Sequence, residues 1–93
     1  MYNNAMEIEF DPAKARTNLR RHRVSFAQAE EALHDDRAFT IEDPDAHGEQ
    51  RFITLGMDIL GRVLVVVYAH NGNCIRIISA RKASPGEMEN YNA

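Results

Sequence analysis

Lys14, Asn18 and His22 stand four residues apart in a segment that reads as helix. At 100° per residue they fall within about 80° of one another, and Arg21 lies about 20° to the other side of Lys14. A lysine, an arginine, an amide and an imidazole on one helical face could bind a phosphodiester, with His22 able to take or give a proton near neutral pH. The same spacing also describes an ordinary solvated face whose histidine favours the C-terminal end of the helix dipole. A second set of cations closes the last apolar run. Strict alternation puts Arg76, Ile78 and Ala80 on one strand face and Ile75, Ile77 and Ser79 on the other, before Arg81 and Lys82. A guanidinium on an otherwise apolar face needs a carboxylate or an anionic ligand, and Ser79 could donate to a phosphate oxygen or simply be satisfied at the strand end.

Other chemistries lack their residues. His22, His34, His47 and His70 are scattered and Cys74 stands alone, so no metal-ligand spacing is present. Neither Walker-type nor dinucleotide glycine spacing occurs. Cys74, inside an apolar strand, reads as an inert buried thiol. Asp43, Asp45 and Glu49 lack the spacing of a calcium loop and read as solvated.

The chain has 93 residues, 44% hydrophobic and 27% charged, which fits one domain, 1–93, with a single core. Its longest apolar run, Val63 to Ala69, has seven residues, far short of the ~20 of a membrane-spanning helix. Met1 to Phe10 does not read as a secretory signal, so the expected location is the cytoplasm. The net charge of −3 conceals segregation. Residues 11–26 carry +4, residues 27–50 carry −7, and residues 51–82 carry +4. Nine of the eleven cations are arginine, whose planar fork matches phosphate oxygens with two bonds. An acidic chain is a poor general coat for nucleic acid, but local basic faces remain available.

These groups must be positioned by few elements. Glu7 to Phe10 reads as a short strand, and Asp11-Pro12 as an N-cap with proline at the first position of a helix reaching about His22, with Ala15 and Leu19 on its buried side. Ser25 and Gln28 form a capping box before a second helix from Phe26. Ala38 to Glu42 is a modest strand and Asp43 to Glu49 an acidic loop. Phe52 to Gly56, then Arg62 to Ala69, then Cys74 to Ala80 read as a meander. Its middle strand is apolar on both faces, and Asn71-Gly72 is the hairpin turn. Ser84-Pro85-Gly86-Glu87 opens a short terminal helix carrying Met88 and Tyr91. The fold class is α+β, an antiparallel sheet with helices on one face or end.

Several strings resemble the BrnT family of bacterial toxins. They are Phe10-Asp11-x-x-Lys14-Ala15-x-x-Asn18 with Arg21-His22 and Val24-Ser25-Phe26, then Arg51 to Gly56, Gly61 to Val67, and Arg76 to Ala83 with Glu87 and Tyr91. The resemblance spans residues 6 to 91, and an arginine on each side of Ile-Ile-Ser-Ala is its most specific block. The family usually has tryptophan where this chain has Phe10 and glycine where it has Arg23, in the tight turn after His22. Its chains begin at about Met6, so Met1 to Ala5 reads as an extension.

The resemblance implies a RelE-like fold and a ribonuclease toxin of a type II toxin-antitoxin pair. Its partner would be a BrnA-like antitoxin with a ribbon-helix-helix portion, and operator DNA would be met only through that complex. RNA cleavage can proceed without cofactor or metal, by 2′-hydroxyl attack on the neighbouring phosphate, and that is the reaction expected here. Lys14, His22, Arg51, Arg76 and Arg81 are then the catalytic candidates, and Asn18, Arg21, Lys82 and Tyr91 the RNA-binding ones. The competing readings are a non-catalytic binding module and a ParE-like gyrase poison.

Overall fold

The computed structural model describes residues 7–46 and 48–93. The expected extension Met1 to Ala5 and His47 lie outside them. In chain order the elements are β1 (Glu7–Glu9), α1 (Pro12–His22), α2 (Phe26–Leu33), β2 (Phe39–Glu42), β3 (Arg51–Met57), β4 (Val63–Asn71), β5 (Cys74–Lys82) and α3 (Pro85–Asn92). The helices start where their caps predict. Asp11 accepts from the Ala13 N–H with proline at the first turn, and both Ser25 and Ser84 form complete capping boxes.

One five-stranded sheet runs β1-β5-β4-β3-β2. The meander β2 to β5 is antiparallel as expected, and β4 lies in the middle. β1 departs from that expectation: it pairs parallel to β5, placing Ile8 beside Ile75 and Glu9 beside Arg76. The two helices after β1 carry the chain off the sheet, so β1 is left at the far side of the last strand and runs with it.

Helices α1 and α2 cover one face, where Phe26, Ala29, Ala32 and Leu33 meet Phe52, Leu64, Val66, Tyr68, Ile75 and Ile77. Phe10 retains the aromatic anchor at the entrance, its ring edge-on to Phe26 at 5.5 Å. Gly56 permits close approach of α2, because a Cβ there would stand 2.1 Å from the Ala32 carbonyl oxygen. The opposite face is partly closed by α3, whose Tyr91 packs with Leu55, Val63 and Val65.

Two sequence expectations are corrected here. Leu19 is 48% exposed, whereas Asn18 turns inward at 6%. The Asn18 amide donates to the carbonyls of Val24 (2.9 Å) and Ala80 (2.8 Å) and accepts from the Ala80 N–H (3.1 Å). It therefore ties α1, the α1–α2 junction and β5 together. Alternation along β5 also breaks, because Tyr68 faces Ile77 while Val67 faces Ser79, leaving Ile78 as the extra residue of a bulge. Consequently Ile75, Ile77 and Ala80 share the helix-covered face, and Arg76, Ser79 and Arg81 share the other.

Asn18→Ala removes all three bonds and leaves buried backbone groups unpaired. We expect a loss of roughly 3–5 kcal/mol in unfolding free energy by urea titration.

Candidate active site

Two groups of basic side chains flank β5, one on the helix side beside the half that β1 does not cover and the other spread along the opposite face from Arg76 to Arg81. On the helix side, Lys14, Thr17, Asn18, Arg21 and His22 line a groove of about 290 Å³ with Ile78 and Ser79. The predicted 80° arc is thus real. It faces the bulge because α1 packs beside β5 beyond the end of β1. Lys14 and Arg21 are exposed, His22 is half-buried, and none of the three makes an ion pair among the described residues. Asn18 borders the groove, but its polar atoms are held by backbone. It positions the helix and is not a free RNA ligand, contrary to the sequence expectation.

On the sheet side, register places Arg51 opposite Ala69, Ala69 opposite Arg76, and Val65 opposite Arg81, all on the face away from α1. Arg76 has the partner its setting demands. One nitrogen of its guanidinium donates to both oxygens of Glu49 at 2.7 and 2.8 Å, and Arg51 approaches the same carboxylate at 3.6 Å. The Arg76 hydrogen bond, against a smaller effect of burial, holds the Glu49 carboxyl below its usual range. Arg81 makes a two-bond pair with Glu87, both at 2.8 Å. That bond and the Ser84 N–H hold the Glu87 carboxyl down to about 2. These arginines do not line the groove of α1. Ser79 connects the two sides, since it borders the groove and shares the sheet face of Arg76 and Arg81.

Lys82 is exposed at the end of β5 opposite Leu64, on the helix-covered side of the pleat. Tyr91 corrects another expectation. It is 6% exposed, its hydroxyl donates to Asp35, and the Arg37 guanidinium lies 5.4 Å from its ring centroid. Burial, then the Asp35 carboxylate, raises its phenol. Tyr91 seats α3 and is not presented to RNA. Cys74 is half-buried, not fully buried, and burial followed by Glu9 and Glu7 raises its thiol, so it stays protonated.

Sequence reasoning missed four acids. Glu87 is legible in retrospect, since a capping glutamate six residues past Arg81 lies within reach of it. Glu49 meets Arg76 across 27 positions and carries no local signal. Asp58 is buried, pairs with Arg62 at 2.9 Å and accepts the Leu60 and Arg62 N–H groups, while Arg62 also donates to the Arg23 carbonyl. Asp35 gathers the Tyr91 hydroxyl with the Met57 and Arg37 N–H groups. These bonds outweigh burial and hold its carboxyl low.

Two helices on one face of a meander sheet, with cations gathered at the last strand, define an α+β protein compatible with the RelE-like architecture. The family of ribonuclease toxins, BrnT, of type II toxin-antitoxin systems matches residues 10–87, and the chain belongs to that family. The crystal structure of the Brucella abortus ribonuclease toxin BrnT is similar at 26% identity. It covers 85% of this chain and 97% of its own, with a TM-score of 0.67. No curated protein matches the chain significantly in sequence.

The Arg81–Glu87 pair sets an acid-side dependence. Because Glu87 lies near 2 when folded and near 4.5 otherwise, its contribution is complete above about pH 4.5 and disappears as pH falls toward 2. The pair is partly exposed, so screening reduces this to about 1 kcal/mol. Glu87→Gln should be less stable by that amount at pH 7 in denaturant titrations, and the difference should vanish near pH 2.

Proposed function

We propose that this chain is a metal-independent endoribonuclease that cuts at the β5 bulge. The ribose 2′-oxygen attacks the adjacent phosphorus as its proton passes to His22. The P–O5′ bond breaks, leaving a 2′,3′-cyclic phosphate and, after protonation of the leaving oxygen, a 5′-hydroxyl. Lys14 and Arg21 face the charge that develops on the phosphoryl oxygens, and the Ser79 hydroxyl donates to one of them. Arg76 and Arg81 reach the same phosphate from the sheet side by exchanging Glu49 and Glu87 for it. Partly exposed ion pairs are worth little, so that exchange is cheap. Arg51 follows Arg76, and Lys82 meets the strand beyond the cut. The observation that carries this reading is that Ser79 borders the groove of Lys14, Arg21 and His22 while sharing a face with Arg76 and Arg81.

A second reading rests on Arg51 and Arg76, which already grip one carboxylate. The sheet face is then an anion seat in its own right.

In the cell, this reading places the toxin in the cytoplasm, where RNA cleavage stops translation and growth. A BrnA-like ribbon-helix-helix antitoxin is the partner, and operator DNA is bound only by the complex. The acidic segment before β3 lowers free affinity for RNA by repulsion.

Purified protein should cut RNA in the presence of chelator and yield cyclic phosphate ends. His22→Ala should lower kcat by about 10²–10⁴ and Lys14→Ala by about 10², each without loss of fold. Full cleavage in both variants, with loss in Arg51→Ala and Arg76→Ala, would move the reaction to the sheet face. Loss of activity in chelator, restored by a divalent ion, would overturn the metal-free step.

A further inference from the structure

The cations of α1 that the cleavage groove does not use form a surface of their own. Arg16, Leu19, Arg20 and Arg23 line a shallow depression of about 410 Å³ on the helix side turned away from Lys14. None of these three arginines is in an ion pair among the described residues, whereas Arg51, Arg62, Arg76 and Arg81 all are. Arg23 also stands in the left-handed region, φ 60° and ψ 29°, where glycine would be the unstrained choice. The chain thus keeps a guanidinium at a backbone position that disfavours any side chain, next to two others with no acid to neutralise them.

We propose that Arg16, Arg20 and Arg23 form a second phosphate-binding site, which holds single-stranded RNA flanking the cut. This deepens the reading of the α1 groove as the cleavage site and rests on it. Arg16 and Arg20 are one helical turn apart, so they present two guanidiniums in a row along the helix. Thr17 and Arg21 join this row to the groove on the same helix. A strand leaving the groove therefore meets fixed positive charge without crossing an acidic segment.

The composition of the patch fits a polyanion better than a protein. A protein interface is built round an apolar, often aromatic centre, but here the one apolar side chain is a half-exposed leucine and the other three are guanidiniums. A basic groove that tracks the phosphates, with an apolar spot for a base face, is how single strands are held without sequence preference.

The test uses a 2′-O-methyl RNA of about 12 nucleotides, which cannot be cut by 2′-oxygen attack, with a dinucleotide as the short substrate. The variant is Arg16→Gln, Arg20→Gln and Arg23→Gly together. In anisotropy titrations it should bind the oligomer about 10-fold or more weakly near 0.1 M salt, with a salt slope shallower by about 2. Dinucleotide cleavage should be unchanged. Arg23→Gly alone should raise Tm by about 4 °C while weakening oligomer binding, a combination that a purely structural arginine does not produce.

Equal oligomer affinity and slope in wild type and triple variant would overturn the flanking site. So would a parallel loss of dinucleotide cleavage, which assigns the arginines to the groove itself. Loss of antitoxin binding with RNA binding intact would overturn it in favour of a protein surface. Wild type that shows the steeper slope but cuts no RNA would keep the flanking site and remove the cleavage reading.

Discussion

The Asn18 amide satisfies backbone groups on two other segments at once, and the location of the candidate side chains of α1 follows from that. Its bonds to both polar groups of Ala80 fix α1 against β5, and its bond to Val24 fixes the turn into α2. Such groups are expensive to leave unpaired once water is excluded, so the helix has one height and one rotation on the strand. That rotation turns Lys14, Arg21 and His22 toward the bulge and leaves Arg16 and Arg20 facing outward. From the other side, Arg62 reaches from its pair with Asp58 to the Arg23 carbonyl and holds the same junction.

Charge is divided just as sharply. The sheet arginines each find an acid, Glu49 for Arg51 and Arg76 and Glu87 for Arg81, and Arg62 just before β4 finds Asp58. Among the described residues, α1 keeps Lys14 and its arginines without such partners. A chain of net charge −3 therefore offers concentrated positive potential on one helix and screened guanidiniums on the sheet. An anion that approaches α1 meets open positive charge, whereas one that reaches the sheet must displace a carboxylate. Partly exposed pairs exchange at low cost.

Much of this was legible in local chemistry. Caps at Asp11, Ser25 and Ser84, the Asn71-Gly72 turn and the two-sided apolar run of β4 act over a few residues, and the elements formed where those signals stand. The arc of Lys14, Arg21 and His22 was also readable, because helical rotation is fixed per residue. The demand of Arg76 for an anion could be read from its apolar neighbours, but the identity of that anion could not. Glu49 is distant in sequence, and only the sheet register brings its loop to the strand. Asn18 looked like a ligand-facing residue by type and spacing and Tyr91 through the family resemblance, yet both are consumed by packing.

By itself, then, the amino-acid sequence determined the helices, the meander, the basic character of the first helix and the strings that mark a BrnT-type chain. These depend on short-range capping, turn and periodicity rules. The tertiary structure alone decided which cations of β5 share a face. Arg76 and Arg81 are five positions apart and would point to opposite sides of a regular strand, since side chains alternate with period two. One extra residue, Ile78, changes that parity. The bulge arises where β5 meets β4, with the peptide groups of Ala80 bound by Asn18 from across the core, and no local pattern along the strand encodes that meeting.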